Sequence, residues 1–390
     1  MRSQGACSLF AVCLAVLFSM GTAQAATKYK ILHGFGNGKD GGGLFGGVAL
    51  DANGNLYGMT WSGGAYGMGT VFELSPGSNG KWNETILHSF CRPHHCTDGA
   101  LPSSTPALDA AGNLYGSSDL VFQMTPGSDG WKFTVIWTGL YGGDLLLDAA
   151  GNLYGSFGAG KYKRGAVSEL LHGPSGWKEK DLYSFCRQYG CPDGDGAEGR
   201  LAWDGAGNLY GISPQGGKRN GGLVFQLVHT GGTWKEHVLH NFVYDELPKA
   251  GVTLDSAGNV YGSTTQGGQY YDGTIYRLSP QKNGTWKYTI LYDFPDYVRN
   301  GAGPIGQMVF DTSGNLYGAT SGGGKYQLGT VFELSPSAGG KWTHRVLHAF
   351  KYQDGEIPYA GLAIDSQGHL YGTTSEGGPN NAGVVYEITP

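Results

Sequence analysis

Seven copies of one eight-residue turn run through this chain and govern what it can fold into. "DANGNLYG" begins at Asp51, "DAAGNLYG" at Asp109 and again at Asp148, "DGAGNLYG" at Asp204, "DSAGNVYG" at Asp255, "DTSGNLYG" at Asp311 and "DSQGHLYG" at Asp365. Their tyrosines, at 57, 115, 154, 210, 261, 317 and 371, are spaced by 58, 39, 56, 51, 56 and 54 residues. A recurrence of roughly fifty residues in a strand-forming chain points to radial or solenoid repetition.

The unit decides between the two. In the first copy "GGVALD" reads as a short strand, "ANG" as a turn and "NLYGMT" as a second strand; the glycine loop "WSGGAYGMG", the strand "TVFELSP", the turn "GSNGK" and the strand "WNETILHSF" follow. Four antiparallel strands in a unit of this length describe a propeller blade. Asp51 is suited to accept hydrogen bonds from backbone N–H groups two or three residues on, and Gly54 can take the positive φ that closes the hairpin. The repeated aspartates are therefore structural; calcium would need several more oxygen ligands and a carboxylate at the end of the loop.

The seventh copy stops after its third strand, "GVVYEITP", while "KYKILHGF" (Lys28 to Phe35) matches the fourth-strand pattern of "ETILHSF" and precedes the first complete copy. Pairing that segment into the last blade closes the ring and removes two exposed strand edges. The expectation is an all-β, seven-bladed propeller of four-stranded blades, occupying residues 26–390 as a single domain.

Composition agrees: 71 glycines, 13% aromatic and only 15% charged residues suit many short strands joined by glycine turns. The net charge of −5 is spread without basic clusters, so nucleic acid is not an expected partner. Residues 1–25 differ. Arg2, the run "LFAVCLAVLFSM" and then "AQA" read as a cleavable secretory signal, cut after Ala25. The run is short of the roughly 20 apolar residues that span a bilayer, and no second one follows, so the mature chain carries no membrane span.

Export gives the cysteines a meaning. Cys91 and Cys96 in "SFCRPHHCTDG", and Cys186 and Cys191 in "SFCRQYGCPDG", read as two local disulfides, each worth about 2 kcal/mol by loop closure. A zinc site of Cys91, His94, His95 and Cys96 is the rival, but the second loop keeps both cysteines without a histidine. No metal or cofactor is expected. Among the other recurring side chains, Trp82, Trp131, Trp177, Trp234, Trp286 and Trp342 each begin a fourth strand, where an indole can cover the seam between sheets. His33, His88, His240 and His348 share one position with Trp137, Tyr183 and Tyr292, so that position asks for an aromatic plane with a polar edge.

With "GNLYG", the "GG" loop, "GTVFEL", the "VLHxF" pattern and the "FCxxxxCxDG" loop in view, residues 28–390 resemble the bacterial GloVer repeat proteins, also called choice-of-anchor tandem repeat GloVer-containing proteins. The resemblance implies an exported repeat protein and supplies no catalytic residues. Proteins of that family are often fixed to the surface by a C-terminal sorting segment. This chain ends at "YEITP" without a hydrophobic tail, so free secretion or periplasmic residence is expected. The "GVALDANGNLYG" hairpin is also similar to NHL-type and gluconolactonase-like propellers, a likeness of fold alone.

In such a blade the loops after the second and fourth strands share one face, and variable loops on a rigid scaffold are where binding resides. Trp61, Tyr66, Tyr162, Tyr270, Tyr271 and Tyr326 lie on those loops, where rings can stack on sugars or anchor a protein. Blade two has lost both long loops, which predicts a notch bordered by the first cysteine loop with Asp98, by Asp144 in "TGLYGGD", and by "FGAGKYKR". The expected function is a monomeric secreted binding scaffold for carbohydrate or a surface protein. The alternative is an extracytoplasmic hydrolase or lyase on glycans using loop carboxylates (Asp40, Asp98, Asp193, Asp195, Asp245, Glu246, Asp354); the chain carries no Ser/His/Asp signature, nucleotide loop or HExxH motif, which weighs against it.

Overall fold

Asp51 shows why its turn recurs. Its Oδ1 accepts the N–H groups of Asn53 and Asn55, both at 2.8 Å, and its Oδ2 accepts the Asn55 side-chain amide at 2.9 Å and the Tyr57 hydroxyl at 3.3 Å. The backbone donors stand two and four residues on, with Gly54 at φ 84° between them. One carboxylate thus satisfies the turn and ties it to the second strand. The same four bonds recur at Asp109, Asp148, Asp204, Asp255 and Asp311. At Asp365 the His369 ring takes the place of the amide, at 2.8 Å. Burial pushes the Asp204 carboxyl up, but the bonds from Asn208, Ala206 and Tyr210 outweigh it and hold the group below the usual carboxylate range.

The structure is a computed structural model that describes residues 26–92, 95–139, 143–157 and 159–390. The expected signal segment, residues 1–25, and His94 lie outside the described residues. Seven four-stranded antiparallel sheets follow one another. Blade one is Ala49–Leu50, Leu56–Thr60, Thr70–Pro76 and Trp82–Ser89, from the axis outward. The last sheet is composite: Ala363–Ile364, Leu370–Thr373 and Val384–Thr389 are completed by Lys28–Gly34, which pairs from Lys28 opposite Thr389 to Gly34 opposite Val384. The ring is closed by its two terminal strands, as the strand patterns imply.

The glycine after each repeated tyrosine has a steric cause. A Cβ on Gly58 would stand 2.4 Å from the Phe72 ring, and on Gly211 2.6 Å from Phe225. The third-strand aromatic lies across the second strand and only glycine leaves it room. Blade three makes the point by exception. Ser168 stands opposite Gly155, where the aromatic would be, and Phe157 turns back to cover that glycine, so that a Cβ there would stand 2.8 Å from its ring. Among the described residues hydrophobic side chains gather in seven buried clusters, each shared by two adjacent blades; Leu32, Phe35, Tyr371 and Val385 of the last blade meet Leu44, Val48, Leu56 and Phe72 of the first. The fourth-strand tryptophans seal the outer seams as expected: Trp82, Trp131, Trp177, Trp286 and Trp342 are each set edgewise on the repeated tyrosine of the preceding blade, as in Trp131 on Tyr57 at 5.8 Å and Trp286 on Tyr210 at 6.3 Å, whereas Tyr154 is met edgewise by Trp203 at 4.8 Å, on which Trp234 packs at 6.5 Å.

A second seam contact lies nearer the face that carries the long loops. The His/Tyr/Trp position of one outer strand meets a single position on the next: His88 stacks on Phe133 at 4.0 Å, His240 on Tyr288 at 4.0 Å, Tyr292 on His344 at 4.2 Å and Tyr29 on His348 at 3.8 Å. Burial lowers His240 and His344 to about 4, so both rings are neutral at physiological pH. At three seams the facing residue is a glutamate instead. The Trp137 indole N–H donates to Glu179 at 3.2 Å; Glu236 faces Tyr183, on whose ring Arg187 lies at 4.4 Å; and Glu84 faces His33.

Three outcomes follow. A chain lacking residues 26–36 exposes the edge of Val384–Thr389 and is expected to melt lower and self-associate on size-exclusion chromatography; an unchanged melting temperature with a monomeric profile would count against closure. Tyr276 occupies the position of Phe72 with its buried hydroxyl unpartnered among the described residues. An unsatisfied buried hydroxyl costs roughly 1–3 kcal/mol, so Tyr276→Phe is expected to stabilise by about 1 kcal/mol in chemical denaturation. Glu236 is pushed up to about 7, by burial first and the Asp193 charge second, with Arg187 opposing. The folded state therefore binds this proton more tightly than the unfolded chain, and stability is lost as pH rises from the ordinary carboxylate range through 7. Glu236→Gln is expected to be near neutral at pH 5 and to stabilise by roughly 1–2 kcal/mol at pH 8.

Candidate functional site

The inner strands converge on the axis, and the residue two places before the one paired to each repeated tyrosine points the chain into it. Those residues are Gly47, Thr105, Asp144, Arg200, Gly251, Gln307 and Gly361. Three glycines let neighbouring backbones approach: a Cβ on Gly251 would meet the Arg200 carbonyl oxygen at 2.4 Å, and one on Gly361 the Gln307 carbonyl oxygen at 2.7 Å. Four polar side chains share the rest of the ring. The Thr105 N–H donates to Asp144 Oδ1 at 2.6 Å, the Gly47 N–H to Thr105 Oγ1 at 3.0 Å, and Gln307 Nε2 to the Val252 carbonyl at 2.5 Å.

Those four side chains and Gly361 line a cavity of about 330 Å³. A second cavity of about 180 Å³ continues toward the long-loop face and shares Thr105, Asp144, Arg200, Gln307 and Gly361 with it. Its upper lining comes from the residues two places further upstream, among them Phe45, Ser103, Glu198, Lys249 and Tyr359. The mouth is aromatic. Phe45 meets Trp61 edgewise at 6.0 Å and Tyr359 edgewise at 5.9 Å, and Phe45, Trp61, Tyr359 and Ser103 line a shallow depression of about 450 Å³. All three rings are exposed.

The funnel is polar beneath that rim. Burial raises the Asp144 carboxyl, against the Thr105 hydrogen bonds and the Arg200 charge. Burial also raises Glu198, against Lys249. An apolar, flat-faced collar thus stands over two acids that hold protons readily, a guanidinium, an ammonium and an amide. Such a set can stack on a ring and hydrogen-bond a cluster of hydroxyls, or take a small polar group of either charge.

Of the residues expected from sequence, Trp61 and Asp144 come to the funnel. Tyr66, Tyr162, Tyr270 and Tyr326 stand exposed on the same loop of blades one, three, five and six, separated by the radial layout; Lys161 lies 5.5 Å from the Tyr162 ring and Lys325 5.2 Å from that of Tyr326. Asp98 folds its own loop. It accepts the N–H of Cys91 at 3.0 Å and that of Arg92, and meets His88 Nε2 at 2.9 Å. Other acids of the expected ring do the same: Asp193 accepts from Tyr183 and Arg187, Glu246 from the Val243 N–H and Asp354 from the Lys351 N–H. Asp195 pairs with Arg164. Both disulfides, Cys91–Cys96 and Cys186–Cys191, are formed, and all four cysteines take positive φ between 45° and 66°. The expected notch at blades two and three includes residues 140–142 and 158, which lie outside the described residues.

Phe45, Glu198, Arg200, Lys249, Gln307 and Tyr359 were missed by sequence reasoning. The signal was present: four residues before each repeated aspartate the chain reads Gly, Thr, Asp, Arg, Gly, Gln and Gly, a column that mixes charge and glycine among otherwise uniform neighbours.

Among solved structures, the extracellular domain of a B. thetaiotaomicron protein assigned to the one-component systems superposes with a TM-score of 0.59 at 9% identity, over 92% of this chain and 39% of that one. A luciferin-regenerating enzyme matches with a TM-score of 0.46 at 16% identity, over 73% of this chain and 90% of its own. The first supports the propeller fold, and this chain spans well under half of that protein's length. No curated protein sequence matches. No helix among the described residues is long and apolar enough to cross a membrane. The Gloeobacter/Verrucomicrobia repeat matches residues 117–294 and 237–390, which together take in most of the blades, and the chain belongs to that repeat family.

Proposed function

We propose that this protein is an exported propeller that binds carbohydrate end-on at the axial mouth. The observation that carries the reading is the collar of Phe45, Trp61 and Tyr359 set directly over the polar ring of Thr105, Asp144, Arg200 and Gln307. A sugar offers an apolar face for the collar and hydroxyls for the ring, and rigid aromatic side chains lose little entropy when they bind. Export is supported by the two disulfides and by the character of residues 1–25. A surface protein is the other occupant this collar suits, and it would meet the collar without needing the acids below.

Titration of the purified protein with cell-wall and polysaccharide fragments tests the proposal. Trp61→Ala and Tyr359→Ala are each expected to weaken a bound glycan by about tenfold, the worth of one stacked ring. Tyr189→Ala is expected to leave binding unchanged, since Tyr189 is fully exposed on the second cysteine loop. Binding that survives loss of both collar rings would remove the axial site. Because Asp144 and Glu198 line one cavity and burial raises both carboxyls, the same fragments should be assayed for cleavage; turnover lost in Asp144→Asn or Glu198→Gln would move the assignment from binding to catalysis.

A further inference from the structure

His33, Asp40 and Glu84 meet at the seam where the ring closes. His33 lies on the terminal strand that completes the last blade, Asp40 on the segment that follows it, and Glu84 on the outer strand of blade one. At the four aromatic seams the position of His33 stacks on a ring, and at the other two glutamate seams the carboxylate has an indole N–H or a nearby guanidinium. Glu84 differs. Among the described residues its ion-pair partner is His33, whose other partner is Asp40, and no lysine or arginine is within ion-pair distance of either acid.

Two carboxylates and one imidazole in a protein wall are relieved by a proton or by a bound cation. We propose that His33, Asp40 and Glu84 form a binding site for a zinc ion. His33 Nε2 stands 3.4 Å from Asp40 Oδ2 and 3.7 Å from Glu84 Oε2, and one ligand atom from each residue falls within 4.8 Å of the others. Zinc with nitrogen and oxygen ligands at about 2.0–2.2 Å sets its tetrahedral corners roughly 3.3–3.6 Å apart. Both distances from the imidazole are close to that spacing, and the two carboxylates lie within 4.8 Å of each other.

The same side chains are short of partners. His33 Nε2 and the second oxygen of each carboxylate, Asp40 Oδ1 and Glu84 Oε1, are buried with no hydrogen bond among the described residues, and Asp40 as a whole is only 7% exposed. A buried carboxylate oxygen without a donor is costly and rare, and here it lies beside two others in the same condition. The imidazole is held edgewise against Phe35 at 4.5 Å, and the Asn37 N–H donates to Asp40 Oδ2 at 3.3 Å, which orients that ligand. His33 and Glu84 keep a solvent-facing edge, so a water can supply the fourth ligand. Calcium and magnesium ask for six or more oxygen ligands, whereas imidazole with carboxylates suits zinc. The ion would tie the closing strand to blade one, independently of what the axial mouth binds.

The test uses tag-free protein purified after export, stripped with chelator and titrated with zinc chloride in competition with a chromophoric chelator. One zinc per chain is expected, together with a raised melting temperature, and cobalt in its place should give the intense visible bands of a tetrahedral site. Glu84→Phe copies the His88–Phe133 stack of the next seam, so it should fold, and it is expected to weaken zinc by at least about tenfold, as is Asp40→Asn. Glu236→Gln, the equivalent glutamate at another seam, should bind zinc like the parent. Failure of the parent protein to take up zinc or to give the cobalt spectrum, undiminished binding by Glu84→Phe, or an equal loss in Glu236→Gln would each overturn the site.

Discussion

The pairing of Lys28–Gly34 with Val384–Thr389 is the constraint on which the other features rest. Each blade buries its hydrophobic faces against the blade before and the blade after, so no blade has a complete core until every seam exists. Six seams arise between sequence neighbours. The seventh joins segments more than three hundred residues apart, through contacts such as Thr373 Oγ1 on the Gly46 carbonyl and the packing of Tyr371 and Val385 with Leu56 and Phe72. The same closure brings Tyr359 of one end beside Phe45 of the other and so completes the aromatic collar. Fold and candidate site therefore depend on one antiparallel pair.

The blades were legible because their punctuation is chemical. Asp51 and Gly54 announce a turn by carboxylate and positive φ, and the strand patterns on either side follow. The composite blade was equally readable, since a fourth-strand pattern without its blade stood at one end and a blade without its fourth strand at the other. What could not be read was contact between strands. The glycine that admits Phe72 and the replacement of that ring by Phe157 require the third strand to be placed over the second, and the phenol of Tyr57 bonding back to Asp51 requires the hairpin to be closed. Alternation along a strand says which face a residue takes, not which neighbour it meets.

The site was only half legible for a geometric reason. Equivalent residues in a radial array stay apart everywhere except at the axis, so Tyr66, Tyr162, Tyr270 and Tyr326 cannot meet, however suggestive their recurrence. Convergence is available to the columns around the inner strands alone. There the informative column is one that varies: Asp144 and Arg200 stand where Gly47, Gly251 and Gly361 stand in other blades, and four departures from glycine turn a packed axis into a polar cavity. Asp98 misled in the opposite way. A carboxylate on a variable loop looks free until the N–H groups of its own loop claim it.

The seams show how a repeated scaffold can carry chemistry without disturbing its packing. Aromatic pairs such as His240 on Tyr288 solve the contact with flat apolar faces, and burial keeps the imidazole neutral. A glutamate in the same place gives up that stacking and brings a charge into a partly dry wall, so it requires a donor or a cation from its surroundings. Blade three meets the need with an indole N–H and blade four with the nearby Arg187. Among the described residues blade one has neither, and burial with the Asp40 charge pushes Glu84 up to about 7. The carboxylate's neighbours therefore resist its charge at the one seam that the two chain ends build together.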